Sequence, residues 1–375
     1  AVLPWALPGA LFVAYAAASA AWSPLRRITL FQSGTLAVLY AVGVAFAVHA
    51  AEADLSRALR RLVWTLLGIS AGLLVARTAM PGLGVMEREG VSLLHATNTA
   101  ATASLGLTLA IASRTLFGWG WARRLWPIAL PVHGLVLAIS SNRLSVVLTV
   151  GVVAVLLFAG LSRTGRCRAA LLGAVVGLAA LAADPGMDFP QAVAREAGEY
   201  LQRGQTVSQM KDLSGREEMW TKMWASYRKA PLLGHGYFVT SETGVIEVWY
   251  LRGNFTAHNL LLQVLVTTGA AGAALFLAGF AAAPALAVLK LLFDPRYRRF
   301  AALAGLFGGW VCVWGLLNES FMGPLQPESV LYFVFYGLTL GAAANVGRFD
   351  LRSGRIESES RSESESESQS VGAGA

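Results

Sequence analysis

The 375 residues are 55% hydrophobic and 14% charged, with a formal net charge of +8. Apolar runs as long as a bilayer core is thick recur along most of the chain, which excludes an ordinary soluble enzyme and points to an all-α, polytopic membrane protein. The arginines that carry the excess charge cluster at the ends of these runs, so the charge reflects topology and gives no reason to expect a nucleic-acid partner.

In chain order, candidate spans fall near residues 5–22, 28–49, 60–79, 97–113, 121–140, 144–161, 168–184, 262–292, 300–317 and 326–345, about ten helices in all. The run 262–292 is too long for one simple crossing. It predicts a short helix over 258–268, a bend near Gly269 and a crossing after it. Short segments holding Arg57, Arg60 and Arg61, then Arg114, Arg123 and Arg124, then Arg163, Arg166 and Arg168, then Arg296, Arg298 and Arg299 all fall on one side of such an arrangement. Cytoplasmic loops carry the surplus of positive charge, so that side is cytoplasmic and the long polar segment 185–257 is extracytoplasmic. The expected organisation is a first group of transmembrane helices over 1–184, the polar loop over 185–257, a second helical group over 258–346 and a tail over 347–375. That tail, ESESRSESESESQS, is a Ser/Glu tract that cannot bury a core and is expected to be disordered in the cytoplasm. The chain starts at Ala1 with a span almost at once, and further upstream residues, whole helices included, are expected. Its two cysteines, Cys167 and Cys312, lie in a cytoplasmic loop and inside a span, and suggest neither a disulfide nor a thiolate metal site.

The loop 185–257 is too small to be an enzyme domain by itself and must work against the membrane. An amphipathic helix is expected from Pro190 to about Arg203. A second begins at Ser214, where Ser214 and Glu217 form a capping box, and stops at Pro231. Trp220, Met223, Trp224 and Tyr227 are expected to share its apolar face, with Arg216 projecting from the first turn of that face. Two readings of Arg216 follow: a guanidinium reaching up to lipid headgroups, or an anion site made by a helix N-terminus and a fork shaped for phosphate oxygens. Pro231-Leu232-Leu233-Gly234-His235-Gly236 comes next. There a backbone role for Gly234 and Gly236 is favoured over a chemical role for His235. A tract with turn and strand character carries Arg252 close enough to reach the same pocket as His258, and Ala257-His258-Asn259 then opens a long apolar helix.

Taken as an ordered set, Ser-Gly-Arg (214–216), the Trp-rich helix, Pro-Leu-Leu-Gly-His-Gly (231–236), Ala-His-Asn (257–259) and Thr-Gly-Ala-Ala-Gly (268–272) resemble the O-antigen ligase and polymerase superfamily. Ala-Trp-Ser-Pro (21–24), Ser-Ser-Asn-Arg (140–143), and His95 with Asn98 at the head of a span are similar to recurring loops of that family. Pro24 follows Trp-Ser at once and Asn142 stands where Ser or Gly is usual. The resemblance implies a membrane glycosyltransferase that takes a glycan from undecaprenyl diphosphate at the periplasmic face of the bacterial inner membrane and transfers it, without cofactor or metal, to an acceptor such as lipid A-core.

That chemistry needs positive charge to meet the departing diphosphate and a group to take or orient the acceptor hydroxyl proton. Arg216 is the first candidate for the former, with Arg143, Arg26, Arg27 and Arg252 as further diphosphate ligands. His258 is the candidate for the latter, against the alternative that it stands at a plain helix start capped by Asn259 or Thr256. Asn259, Glu319, Asn318 and His235 are candidates for acceptor contacts or support, while His49 and His133 read as packing residues. Besides the ligase, a polymerase of the same superfamily fits the residues. A lipid-linked-sugar flippase or other transporter is the rival of another class; internal repeats and mid-span charges, which would favour it, are not evident.

Overall fold

The computed structural model describes residues 2–50, 55–83, 85–86, 94–140, 142–160, 216–248, 251–317 and 325–346. The span expected at 168–184, the helix at 190–203, Ser214, Asn318, Glu319 and the Ser/Glu tail lie outside them. Within them the chain is almost wholly helical: α1 (Leu3–Ala18), α2 (Arg26–Ala50), α3 (Leu55–Ala79), α4 (Ala96–Thr115), α5 (Gly120–Ser140), α6 (Arg143–Gly160), α7 (Arg216–Lys229), α8 (Leu260–Phe276), α9 (Ala283–Leu292), α10 (Arg298–Leu317) and α11 (Pro327–Asn345). A two-stranded antiparallel hairpin, β1 (Ile246–Val248) and β2 (Leu251–Gly253), is the only sheet among the described residues.

Stretches Leu3–Ala21, Arg26–Ala50, Leu55–Ala79, Leu260–Leu292 and Arg298–Leu317 are each long and apolar enough to cross a bilayer. Their outward faces carry large apolar side chains in the open, among them Phe31, Trp64, Val75 and Leu286. A soluble protein hides such residues; here lipid covers them, and the protein is a polytopic membrane protein. Helices α4 and α11 differ. Every residue from Asn98 to Ser113 and from Leu331 to Ala344 is buried, so these helices form the middle of the bundle. Their small and hydroxyl-bearing residues suit that place, because apolarity alone does not drive helices together in lipid and close packing and hydrogen bonds do. Ser104 on α4 accepts from Thr149 on α6 (2.6 Å) and from the Trp310 indole on α10 (3.0 Å). Ser70 on α3 pairs with His133 Nδ1 on α5 at 2.9 Å, and that imidazole lies against Gly106 of α4.

One end of the bundle is rich in arginine. There Asn345 donates to the Ala50 carbonyl, and Lys290 donates to the carbonyls of Ala343 (2.9 Å) and Val346 (3.1 Å), a cation closing the C-terminus of α11. Arg296 binds Asp294 through two nitrogens in the α9–α10 turn and holds its carboxyl below the usual range. Residues 216–248 and 251–259 sit on the opposite end, beside the α1–α2 corner and the last turn of α10.

The run from Leu260 to Leu292 is broken where the sequence predicted. Gly269 has φ 65° and ψ −173°, so the helical path kinks there, and a π-helical stretch over Leu277–Ala282 follows before α9. The π stretch brings Gly279 against the backbone of Pro8 and Gly9 in α1. Packing of α2 on α11 is equally close: a β-carbon on Gly337 would run into the Gly43 carbonyl, and one on Gly341 into that of Ala47. Gly337→Val is therefore expected to cost about 1–3 kcal/mol or more and to lower the melting temperature in detergent. Gly68→Val, at a site with open space around it, is expected to leave the melting temperature unchanged.

Candidate functional site

The Gly269 kink leaves main-chain groups of α8 without helical partners, and the loop after α7 supplies them. Ala270 N–H donates to Pro231 O (2.8 Å) and Ala271 N–H to Leu232 O (3.1 Å). In return His235 N–H donates to Val266 O (3.3 Å) and Gly236 N–H to Thr267 O (2.9 Å). The approach is possible because Gly234, Gly236 and Gly269 all have positive φ and no side chain; a β-carbon on Gly234 or Gly269 would enter the backbone of the other segment. Tyr15 on α1 donates to the same junction, with Leu233 O at 3.2 Å and Thr268 O at 3.0 Å. Next in the chain, Tyr237 N–H donates to Ser19 Oγ (2.8 Å) and Tyr237 O accepts from Thr29 (3.0 Å), which is also paired with Ser23 at 2.8 Å. The Trp-Ser-Pro corner is thus the socket for the Gly-His-Gly turn. The Tyr237 ring enters the core edge-on to Phe12, and burial pushes its phenol far up, so the group stays neutral.

Above this clasp α7 lies across the start of α8. Its buried residues are Met219, Met223 and Ser226, and the two methionines meet Val248, Ala257 and Val266 in a satellite core. The expected apolar face is corrected on one point. Trp224 is 45% exposed, and the buried stripe runs through Met219 and Ser226 instead. Ser226 is tolerated there because its hydroxyl donates to Thr240 O at 2.8 Å. His235 is buried and its Nε2 lies 3.0 Å from both the Ser226 carbonyl and hydroxyl. A carbonyl only accepts, so Nε2 donates, and His235 ties the turn to α7. At the exposed end of α7, Lys229 and Glu242 pair at 2.7 Å, which holds the Glu242 carboxyl below its usual range.

Arg216 heads the buried stripe, three residues before Met219, and its Nη1 donates to Leu317 O, the last carbonyl of α10, at 2.7 Å. One turn further, Trp220 Nε1 donates to Ala257 O at 2.7 Å. The Ala257 N–H is held by Gln263 Oε1 at 2.7 Å, and Asn259 Oδ1 accepts from Leu262 N–H at 3.0 Å. Asn259 is therefore the N-cap of α8, and the capping alternative falls on it and not on Thr256. Between these two fixed neighbours His258 stands at φ 45°, a left-handed conformation that costs a non-glycine residue about 1–2 kcal/mol. Arg216 and His258 are thus brought to the same end of the bundle on elements joined by the Trp220 indole.

The remaining candidates are placed less centrally. Arg26 and Arg27 are exposed at the first turn of α2, and Arg252 is exposed in the hairpin opposite Glu247. Arg143 is half-buried at the first residue of α6. Asn142 explains its own place: its Oδ1 caps α6 through Ser145 N–H (2.9 Å) while its Nδ2 reaches Thr97 (3.4 Å) at the head of α4, itself capped by His95. Sequence reasoning missed Ser19, Thr29 and Tyr237 as the partners that seat the loop. It also missed a cleft of about 400 Å³, lined along α7 by Glu217, Trp220, Trp224 and Arg228 and at the start of α8 by Asn259 and Leu262. Their spacing on α7, three or four residues apart, was a signal that could have found it.

Gly234→Ala and Gly269→Ala are each expected to lower thermal stability, whereas Gly308→Ala, with nothing near its position, leaves it unchanged; melting curves in detergent check this. The Tyr237 hydroxyl is buried and has no hydrogen-bond partner among the described residues. Since an unpaired buried hydroxyl costs about 1–3 kcal/mol, Tyr237→Phe is expected to leave the melting temperature unchanged or raise it.

A model of the O-antigen ligase family matches residues 90–277, half of the chain, from the head of α4 through the loop to the end of α8. No curated protein matches the chain. The protein belongs to the O-antigen ligase family, and with it to the ligase or polymerase class of glycosyltransferases that act on lipid-linked glycans.

Proposed function

We propose that this member of the O-antigen ligase family moves a glycan from undecaprenyl diphosphate to lipid A-core, at the periplasmic end of its helical bundle in the bacterial inner membrane. The observation that carries the reading is the tie between α7 and the start of α8: Arg216 lies one turn from Trp220, whose indole holds the carbonyl of the residue before His258. The main chain at His258 is thereby tied to the helix that Arg216 heads.

Charge grows on the diphosphate as the bond to the anomeric carbon breaks. Arg216 donates through Nη1 to the Leu317 carbonyl, and its planar fork of N–H donors, shaped for phosphate oxygens, is the group assigned to the diphosphate. Arg143, Arg26 and Arg27 lie at the same end of the bundle and add positive potential there. In this reading arginines, and no metal ion, meet the charge. The acceptor hydroxyl loses its proton as it attacks, and His258 receives or orients that proton.

Purified protein in nanodiscs, given undecaprenyl-diphosphate glycan and lipid A-core, is expected to transfer the glycan. Arg216→Ala and His258→Ala should each lower kcat by about 100-fold or more at matched folded amounts, and Arg216→Lys should recover only part of the loss. His258→Gly relieves the left-handed strain, so it is expected to melt no lower than wild type while transferring no better than His258→Ala. Lengthening of the lipid-linked glycan with lipid A-core untouched would make the protein a polymerase. Wild-type rates in both alanine variants would overturn the assignment of the two residues.

A further inference from the structure

The cleft between α7 and the start of α8 has no part in the chemistry above, and its composition is specific. About 400 Å³ in volume, it is lined by two indoles, Trp220 and Trp224, together with Glu217, Thr221, Arg228, Leu262 and the Asn259 carboxamide. Small-ligand pockets run from roughly 300 to 1,000 Å³. A purely apolar ligand has no use for a carboxylate and a guanidinium, and a phosphate would be repelled by Glu217. A short run of sugars suits this lining: C–H faces lie on the indoles and on Leu262, and hydroxyls along the run donate to the carboxylate and accept from the guanidinium or amide.

The walls are also held in place. Trp220 is fixed by its bond to Ala257 O, and Asn259 by its bond to Leu262 N–H, which engages Oδ1 and leaves the amide N–H groups as the donors on the other edge. Trp224 is tilted 31° against Tyr227 with ring centroids 5.1 Å apart, and 45% of it remains exposed. The cleft begins one residue from His258 and lies along a different face of α7 from the buried stripe that Arg216 heads. We infer that this cleft is a sugar-binding subsite for the acceptor glycan, holding the ring next to the one that bears the reacting hydroxyl. The inference rests on the proposed reading that the acceptor is a glycan. Donor binding is disfavoured there, because the diphosphate is assigned to Arg216 and Glu217 would oppose it.

The test is steady-state transfer by wild type, Trp224→Ala and Trp224→Phe in nanodiscs, with donor and acceptor varied separately, paired with calorimetric binding of delipidated core oligosaccharide and of delipidated donor glycan. Trp224→Ala is expected to raise the acceptor KM about tenfold, with donor KM and kcat little changed and oligosaccharide binding weakened equally; Trp224→Phe, which keeps an aromatic face, recovers most of both. A rise in donor KM alone would assign the cleft to the donor and overturn the inference. Unchanged KM values and binding would reduce Trp224 to a membrane-interface aromatic and overturn it as well. If wild type shows no transfer, binding decides. Oligosaccharide binding lost in Trp224→Ala keeps the subsite while the transferase reading fails, and no binding of either glycan removes the subsite too.

Discussion

Everything at the candidate site depends on a broken helix whose freed main-chain groups are satisfied by a loop. Inside a membrane protein an unpaired N–H or C=O costs several kcal/mol, so a kink survives only where something repairs it. At Gly269 the repair is reciprocal. Two N–H groups of α8 find the carbonyls of Pro231 and Leu232, and two carbonyls of α8 find the N–H groups of His235 and Gly236. The satellite core above is small, and burial alone would hold α7 weakly. The four main-chain bonds fix the chain just beyond α7, and Tyr15, Ser19 and Thr29 fix that junction to the first two helices.

This clasp gives each part of the Gly-His-Gly turn a structural task. Its glycines let two backbones touch, and its histidine spends Nε2 on Ser226. The turn's effect on function is indirect: it sets the end of α7, the satellite core sets the roll of α7, and the Trp220 indole then sets Ala257 and the residue after it. Two of these links are hydrogen-bonded and the third is apolar packing, and together they connect Gly234 and Gly269 to the main chain before His258.

Much of this was legible in the sequence. The span limits and the bend at Gly269 follow from apolar length and glycine, since a run from 262 to 292 would rise about 45 Å as a straight helix against a core of about 30 Å. The order of motifs identified the family that the match over 90–277 shows. The roll of α7 was not legible. Met219 and Trp220, or Met223 and Trp224, are adjacent apolar pairs, and only the partners decide which member goes inside; Ser226 enters the buried stripe because Thr240 O and His235 wait for it. The cleft was hidden for the same reason, since its lining on α7 is the face left over once the buried stripe is set. Ser19, Thr29 and Tyr237 were hidden because their partners lie some two hundred residues away, and no local pattern marks a hydroxyl that will receive a distant backbone.

The backbone at His258 bears on whether that residue is there for the helix or for a reaction. Asn259 caps α8, and Ala257 is held from both sides by Trp220 and Gln263. The two fixed neighbours force a left-handed turn between them, a place where glycine would sit without strain. Histidine is among the residues that tolerate this region best, yet it still sits higher in energy there than glycine would. In the proposed reading, that strained position is taken by the imidazole that receives or orients the acceptor proton. Strain of this kind persists only where the surrounding structure over-determines the backbone, and here the bonds at Ala257 and Asn259 do so on either side.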